Sequence, residues 1–287
     1  MKRNLILWLA ILSAINIHAQ QIDKQKAENT QILRKYINSV KGLTSPNELI
    51  VKAALSLLNT PYVAQTLEGN REEALVINLQ ELDCMTLVDN CLALSRTAQS
   101  PQPDYDNFVR QLKSIRYRGG ILNGYTSRLH YTTDWITDNA GRGIIEDITY
   151  ALGGKRFRTN LYFMSSHPER YPALKDNPQD VAVMQGIEQT VNQRTTYHYL
   201  PKNEIRNKQS LIKSGDIIGF VTSLPGLDIS HVAIAYWDKG QLTFIHASTK
   251  QMKVIINPES LMDYCIGIPS NTGIVVLRPQ SVQATPL

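Results

Sequence analysis

Apolar residues recur at helical spacing in the first part of this chain and in short alternating runs near its end, which divides it into two kinds of element. Residues 24–40 make a polar helical stretch. Residues 47–58 carry Leu49, Ile50, Ala53, Ala54, Leu57 and Leu58 at the three-and-four spacing of a packed helix, and Asn59-Thr60-Pro61 ends it. From Asp83, the series Leu87, Val88, Cys91 and Leu94 predicts a second buried helix, with Asp83 as its cap and Thr86 near its start. After residue 210 the rhythm changes: 216–221, 231–237, 242–247, 253–256 and 273–277 are short β-rich runs. Leu224-Pro225-Gly226 and Asp238-Lys239-Gly240 supply turns between them. Helices first and an antiparallel sheet second define an α+β class.

Composition adds little structure to this picture. With 43% hydrophobic residues and no low-complexity tract or internal repeat, the chain reads as one globular domain with an elaboration. At the N-terminus, Lys2 and Arg3 precede an apolar run from Leu5 to Ile17 that is too short to span a bilayer and is followed by small Ala19. Residues 1–19 therefore read as a cleavable signal peptide, with the mature chain starting near Gln20. No cysteine follows the apolar run, so the lipoprotein pattern is missing. The expectation is a soluble exported protein, periplasmic or secreted, without an integral membrane segment. Residues 20–46 are then an N-terminal helical extension and 47–287 the main domain.

Signal cleavage removes Lys2 and Arg3 from a formal charge of +5, which leaves a mild basic balance without any dense Lys/Arg tract. Nucleic acid is thereby excluded as the expected partner. Three cysteines do not make a disulfide framework in an exported chain of 287 residues. Cys84 and Cys91 share a helix face but stand roughly 10 Å apart, beyond disulfide reach. Cys265 lies in an apolar run, Leu261 to Ile266, and reads as a buried thiol, as does Cys91.

The candidate chemistry centres on Cys84. A thiol at a helix start meets unpaired N–H groups and the positive end of the helix dipole, so its pKa is expected to fall. His231 and His246, on consecutive predicted strands, supply a base and the group that orients it. This combination reads as a cysteine hydrolase that needs no metal or organic cofactor. A zinc hydrolase would carry His-Glu-x-x-His or a carboxylate at ligand spacing beside the histidines, and neither occurs.

Five segments together carry a family resemblance: Thr60-Pro61-Tyr62-Val63, Glu81-Leu82-Asp83-Cys84, Lys213-Ser214-Gly215-Asp216-Ile217-Ile218-Gly219-Phe220, Ser230-His231-Val232-Ala233-Ile234 and Phe244-Ile245-His246-Ala247. Their order and spacing resemble the NlpC-type papain-like cell-wall cysteine hydrolases, over about 47–100 and 210–280. The resemblance implies a papain-like fold, with the helix-borne cysteine packed against an antiparallel sheet, and a Cys84-His231-His246 triad acting on an amide of peptidoglycan. It also implies an oxyanion site at the Cys84 N–H with the Tyr62 hydroxyl, and a substrate contact from Ser230.

Met85-Thr86 replaces the Ser-Gly that follows the nucleophile in most members, and about 101–209 is an inserted segment. That segment contains Arg116-Tyr117-Arg118-Gly119-Gly120 and the run Tyr125 to Trp135. It resembles a branch once known only as a domain of unknown function, whose members resemble N-acetylmuramoyl-L-alanine amidases acting on sugar-bearing fragments. The implied substrate is a muropeptide or peptidoglycan fragment, cut between muramic acid and L-alanine. The alternatives are a D-glutamyl-diamino-acid endopeptidase of the same superfamily and a non-catalytic wall-binding protein.

Within the insert, Arg128, His130, Asp134 and Trp135 are candidate substrate contacts. Trp135 would stack on a pyranose and Arg128 would grip a carboxylate. The competing reading packs Trp135 in the core and pairs Arg128 with Asp134. His167 and His198 read as loop or edge residues without chemistry.

Overall fold

The computed structural model describes residues 20, 23–69 and 72–283, so the signal expected over 1–19 lies outside the described residues. Helix α1 covers 23–39. Helix α2 (Pro46–Ser56) starts where the Ser45 hydroxyl accepts the Glu48 N–H and proline occupies the first turn, whose lack of an N–H costs nothing there. It buries Leu49, Ile50, Ala53 and Ala54, and the chain leaves it through Asn59 in the left-handed region, φ 68°. Helix α3 (Cys84–Ala98) is buried almost all round, including Leu87, Val88, Cys91, Leu92 and Leu94, which makes it the central helix of the domain.

Helix α4 (Tyr105–Arg116) is amphipathic, burying Phe108, Leu112 and Ile115, and α5 (Thr132–Gly141) buries Trp135 and Ile136. These residues share one core with α2 and α3, so this part of the middle segment is integral to the main packing unit. The segment continues with β1 (Ile145–Asp147), β2 (Lys155–Arg156), α6 (Phe163–Ser166), α7 (Pro178–Asn192), β3 (His198–Pro201) and α8 (Ile205–Lys208). The C-terminal part contributes β4 (Ile217–Thr222), β5 (Ile229–Asp238), β6 (Gln241–Ser248), β7 (Lys253–Ile256), α9 (Leu261–Gly267) and β8 (Asn271–Pro279).

The sheet runs β2-β3-β8-β4-β5-β6-β7, with β1 also on β8, and these neighbours pair antiparallel. Both faces of the central strands are buried, which is why they read as near-continuous apolar runs. One face, with Ile217, Val221, Val232, Ile234, Ile245 and Val275, packs against α2 and α3. The other, with Ile218, Phe220, Ala233, Ala235, Phe244 and Val276, packs against α9. A smaller core of Tyr125, Tyr131, Leu161, Met164, Met184 and Tyr197 holds the outer part of the middle segment together. Among the described residues no helix is long and apolar enough to cross a membrane.

Candidate active site

Cys84 is the first residue of α3, and Asp83 closes a capping box around it. The Thr86 N–H donates to Asp83 Oδ1 at 2.7 Å, while Thr86 Oγ1 accepts the Asp83 N–H at 2.8 Å. The half-buried thiol faces conflicting influences. Burial, and then the Asp83 carboxylate, push its pKa up to about 12, while the peptide N–H groups of Val232, Met85 and Cys84 pull it down. The lowered pKa expected from the helix start is therefore corrected. A helix terminus contributes about 0.3–1 kcal/mol, and here desolvation outweighs it.

The two histidines meet directly, with His231 Nε2 and His246 Nδ1 2.8 Å apart. Their strands allow it: the β5–β6 ladder runs from Asp238↔Gln241 to Ile234↔Ile245, and both histidines lie beyond its last pair. In that stretch β6 remains paired to β7 through His246↔Ile255, so His246 keeps a fixed frame. The imidazoles share the sheet face of Phe220 and Phe244, and the Tyr264 ring of α9 packs against both, at 6.4 Å from His231 and 5.9 Å from His246.

Helix α3 packs against the opposite face of the same sheet. The thiol reaches the sheet where the strands part, beside the N–H of Val232, one residue from His231. Burial and then neighbouring His246 lower the His231 pKa to about 3, and burial lowers that of His246 to about 4. Burial thus favours the uncharged form of both rings and of the thiol.

Tyr62 stands beside the nucleophile. Its backbone N–H donates to the Met252 carbonyl, and its hydroxyl pKa is raised by burial, then by Cys84 and Asp83. Ser230 is exposed and its hydroxyl donates to Asn271 Oδ1 at 3.2 Å. Among the described residues no group of three or more His, Cys, Asp or Glu side chains is placed to share a metal ion.

A thiol at a helix start, beside the residue that follows a strand-borne histidine of a pair, is a candidate centre for acyl transfer. The family described as AmiA-like, N-acetylmuramoyl-L-alanine amidase-like, matches residues 52–274. The chain belongs to that family. Among solved structures, an N-acetylmuramoyl-L-alanine amidase from Bacteroides uniformis ATCC 8492 is 39% identical, with TM-score 0.79, over 82% of this chain and 99% of that one. A Bacteroides fragilis protein described provisionally as a xylanase is 42% identical, with TM-score 0.75, over 79% of this chain and 99% of that one. A Legionella pneumophila protein described under the family name DUF1460 is 21% identical over 90% of this chain and 97% of its own, and its TM-score of 0.68 shows a common fold. No curated protein matches.

In this AmiA-like chain the middle-segment candidates are separately engaged. Arg128 is buried against Glu68 at 2.7 Å and Glu73 at 3.4 Å and stacks over Tyr125, so its partners are these glutamates in place of Asp134. Buried Asp134 is gripped instead by Arg118 at 2.7 Å and Arg194 at 2.9 Å. Trp135 is 1% exposed and donates its indole N–H to Asp89, leaving no ring face for a sugar. The stacking expectation for Trp135 is thus corrected. His130 packs on Tyr125 with Nε2 2.9 Å from the Tyr125 carbonyl, and burial, followed by Arg128, holds its pKa well below the usual value.

Sequence reasoning missed Asp228 and Tyr264. Buried Asp228 accepts the Thr133 N–H at 2.7 Å and its hydroxyl at 2.8 Å, tying the start of α5 to the entry of β5 three residues before His231. Tyr264 sits in an apolar run that gave no sign of contact with the histidines.

Proposed function

We propose that this protein is an NlpC-type, papain-like cysteine amidase that hydrolyses the N-acetylmuramoyl-L-alanine bond of peptidoglycan fragments through a thioester. The observation that carries the reading is the His231–His246 contact at the parting of β5 and β6, beside the thiol at the start of α3. The family assignment and the amidase named for Bacteroides uniformis support the choice of bond.

His231 takes the Cys84 proton at Nδ1 as the sulfur attacks the amide carbonyl, so charge forms only as the bond forms. Its Nε2–H donates to His246 Nδ1, which fixes the tautomer and steadies the imidazolium. The Cys84 N–H and the Tyr62 hydroxyl serve the oxyanion. The C–N bond then breaks, the leaving amine receives the proton from His231, and water hydrolyses the thioester.

Two contacts favour short fragments over intact wall. Asp228 holds Thr133, and Leu161 bridges Gly226, so the middle segment is tied to the loop leading into His231, and in this reading it closes one end of the cleft. In this reading residues 1–19 direct export and the enzyme acts outside the cytoplasm. A xylan-cleaving role finds no comparable support. It requires two carboxyl groups facing a glycosidic oxygen, while Asp83 caps α3 and Asp228 binds Thr133.

Mass spectrometry of a GlcNAc-anhydro-muramyl tetrapeptide, incubated with wild type and with Cys84→Ala, tests the proposal. Release of free disaccharide and a peptide beginning at L-alanine, lost in the variant, is expected. A cut inside the peptide would make the enzyme an endopeptidase, and no Cys84-dependent product would remove the catalytic reading.

A further inference from the structure

The nucleophile and the orienting histidine lie on separate elements, and one run of backbone hydrogen bonds joins those elements. On β6, His246 pairs with Ile255 of β7 and Ser248 pairs with Lys253. Strand β7 ends the sheet, yet its outer edge is covered. Segment 59–63 runs along that edge: the Asn59 N–H donates to the Val254 carbonyl at 2.9 Å, the Val254 N–H to the Thr60 carbonyl at 2.8 Å, and the Tyr62 N–H to the Met252 carbonyl at 2.9 Å. The Lys253 ammonium adds a bond to Asn59 Oδ1 at 2.9 Å. On its other side the same segment holds residue 82, because the Leu82 N–H donates to the Pro61 carbonyl at 3.0 Å and the Val63 N–H to the Leu82 carbonyl at 3.1 Å. Cys84 follows two residues later, at the start of α3.

The carbonyl that receives the Tyr62 N–H belongs to a residue in an unusual conformation. Met252 lies in the turn between β6 and β7 with φ 52°, in the left-handed region that a side chain disfavours. Its side chain is 58% exposed, so burial gives it no reason to be there. Backbone held in such a region points to a constraint from its surroundings. Here that constraint is the bond to Tyr62, whose side chain stands beside the thiol. Misplacing a reacting group by about 1 Å costs roughly 10²-fold in rate, so a fixed link between the two elements has a chemical use.

We propose that Met252 is a positioning residue for the Cys84, His231 and His246 centre: its left-handed backbone seats segment 59–63 between β7 and residue 82, and so sets the thiol against the histidine pair. The inference rests on the amidase reading. The spacing of nucleophile and base then depends on the outer edge of the sheet as well as on the packing of α3. No new covalent step is involved.

The test compares three substitutions. Met252→Val forces a β-branched residue into the left-handed region, Met252→Gly keeps that region open, and Lys239→Val puts the same strain, at φ 48°, into the β5–β6 turn at the other end of β6. On the anhydro-muramyl tetrapeptide, Met252→Val is expected to lower kcat about 10²-fold with KM within about twofold, and Met252→Gly to recover it. Lys239→Val is expected to lose thermal stability as Met252→Val does and to keep its kcat. An unchanged kcat in Met252→Val, or an equal loss in Lys239→Val, overturns the proposal. If Met252→Val does not fold, Lys253→Met, which removes only the exposed bond to Asn59, replaces it: a several-fold fall in kcat supports the link, and an unchanged kcat overturns it. A second arm needs no turnover. Iodoacetamide labelling of Cys84, located by peptide mass, is expected to run roughly fivefold faster in Met252→Val than in wild type or Lys239→Val, because a loosened segment uncovers the thiol. Equal rates overturn the proposal. If wild type cleaves no muropeptide, the amidase reading falls, while the labelling arm still decides whether Met252 positions the thiol.

Discussion

His246 Nδ1 faces His231 Nε2 across 2.8 Å, and the contact lies in the one stretch where β6 has left β5 but still pairs with β7. His231 thus gains a neighbour held by a separate strand, so its ring orientation is set from outside its own strand. Replacing His246 by leucine removes the acceptor and is expected to lower kcat/KM by about 10²-fold or more, while asparagine, which keeps an acceptor oxygen, retains more activity. Equal losses for His246→Leu and His246→Asn would argue against an orienting role.

Cys84→Ala is expected to reduce kcat by at least about 10³-fold, because no other step replaces nucleophilic attack. The thermal midpoint should change little, since the capping box at Asp83 and Thr86 does not involve the thiol. Kinetics and a melting curve on the same preparation check both halves.

The thiol titrates high, which has a direct readout. Alkylation of Cys84 by iodoacetamide should be slow near neutrality and keep rising with pH beyond 9, as expected for a group pushed up to about 12. A rate already flat below pH 7 would mean a preformed thiolate and contradict the neutral resting state.

Acid should destabilise the fold through the same histidines. Their folded pKa values, about 3 and about 4, lie below the ordinary 6.5, so the unfolded chain binds more protons between these values. Stability is fully present above pH 6.5 and falls as pH drops towards 4. Each histidine contributes on the order of 2 kcal/mol of loss between pH 7 and 5. Denaturant titrations at several pH values should show this slope, and His246→Asn should flatten it.

Arg128 separates a structural from a binding role. Its removal leaves the half-buried carboxylates of Glu68 and Glu73 with only the Tyr125 and Tyr117 hydroxyls, a loss bounded above by the about 3–5 kcal/mol of a broken buried pair. Arg128→Gln is therefore expected to lower the melting temperature clearly, with partial recovery in Arg128→Gln/Glu68→Gln. A raised KM with an unchanged melting temperature would instead mark Arg128 as a substrate contact.

Local elements follow from neighbouring residues. The period of Leu49, Ile50, Ala53 and Ala54 gave α2, Asp83 with Thr86 gave the start of α3, and the alternating runs gave β4 to β8 within a few residues. These features are written in neighbouring residues, where spacing alone selects a buried face. Cys84, His231 and His246 became candidates from their places in those elements and from the family resemblance.

The rest depends on partners far apart in the chain, which packing alone brings together. The two-residue β2 has too few positions to show a period, and it exists because β3 pairs with it. Trp135 belongs to the core through Asp89, and Arg128 belongs to Glu68, separated by 60 positions. The Cys84 pKa follows the same rule. Helix position, which sequence shows, favours the thiolate, but burial, which only packing creates, opposes it more strongly.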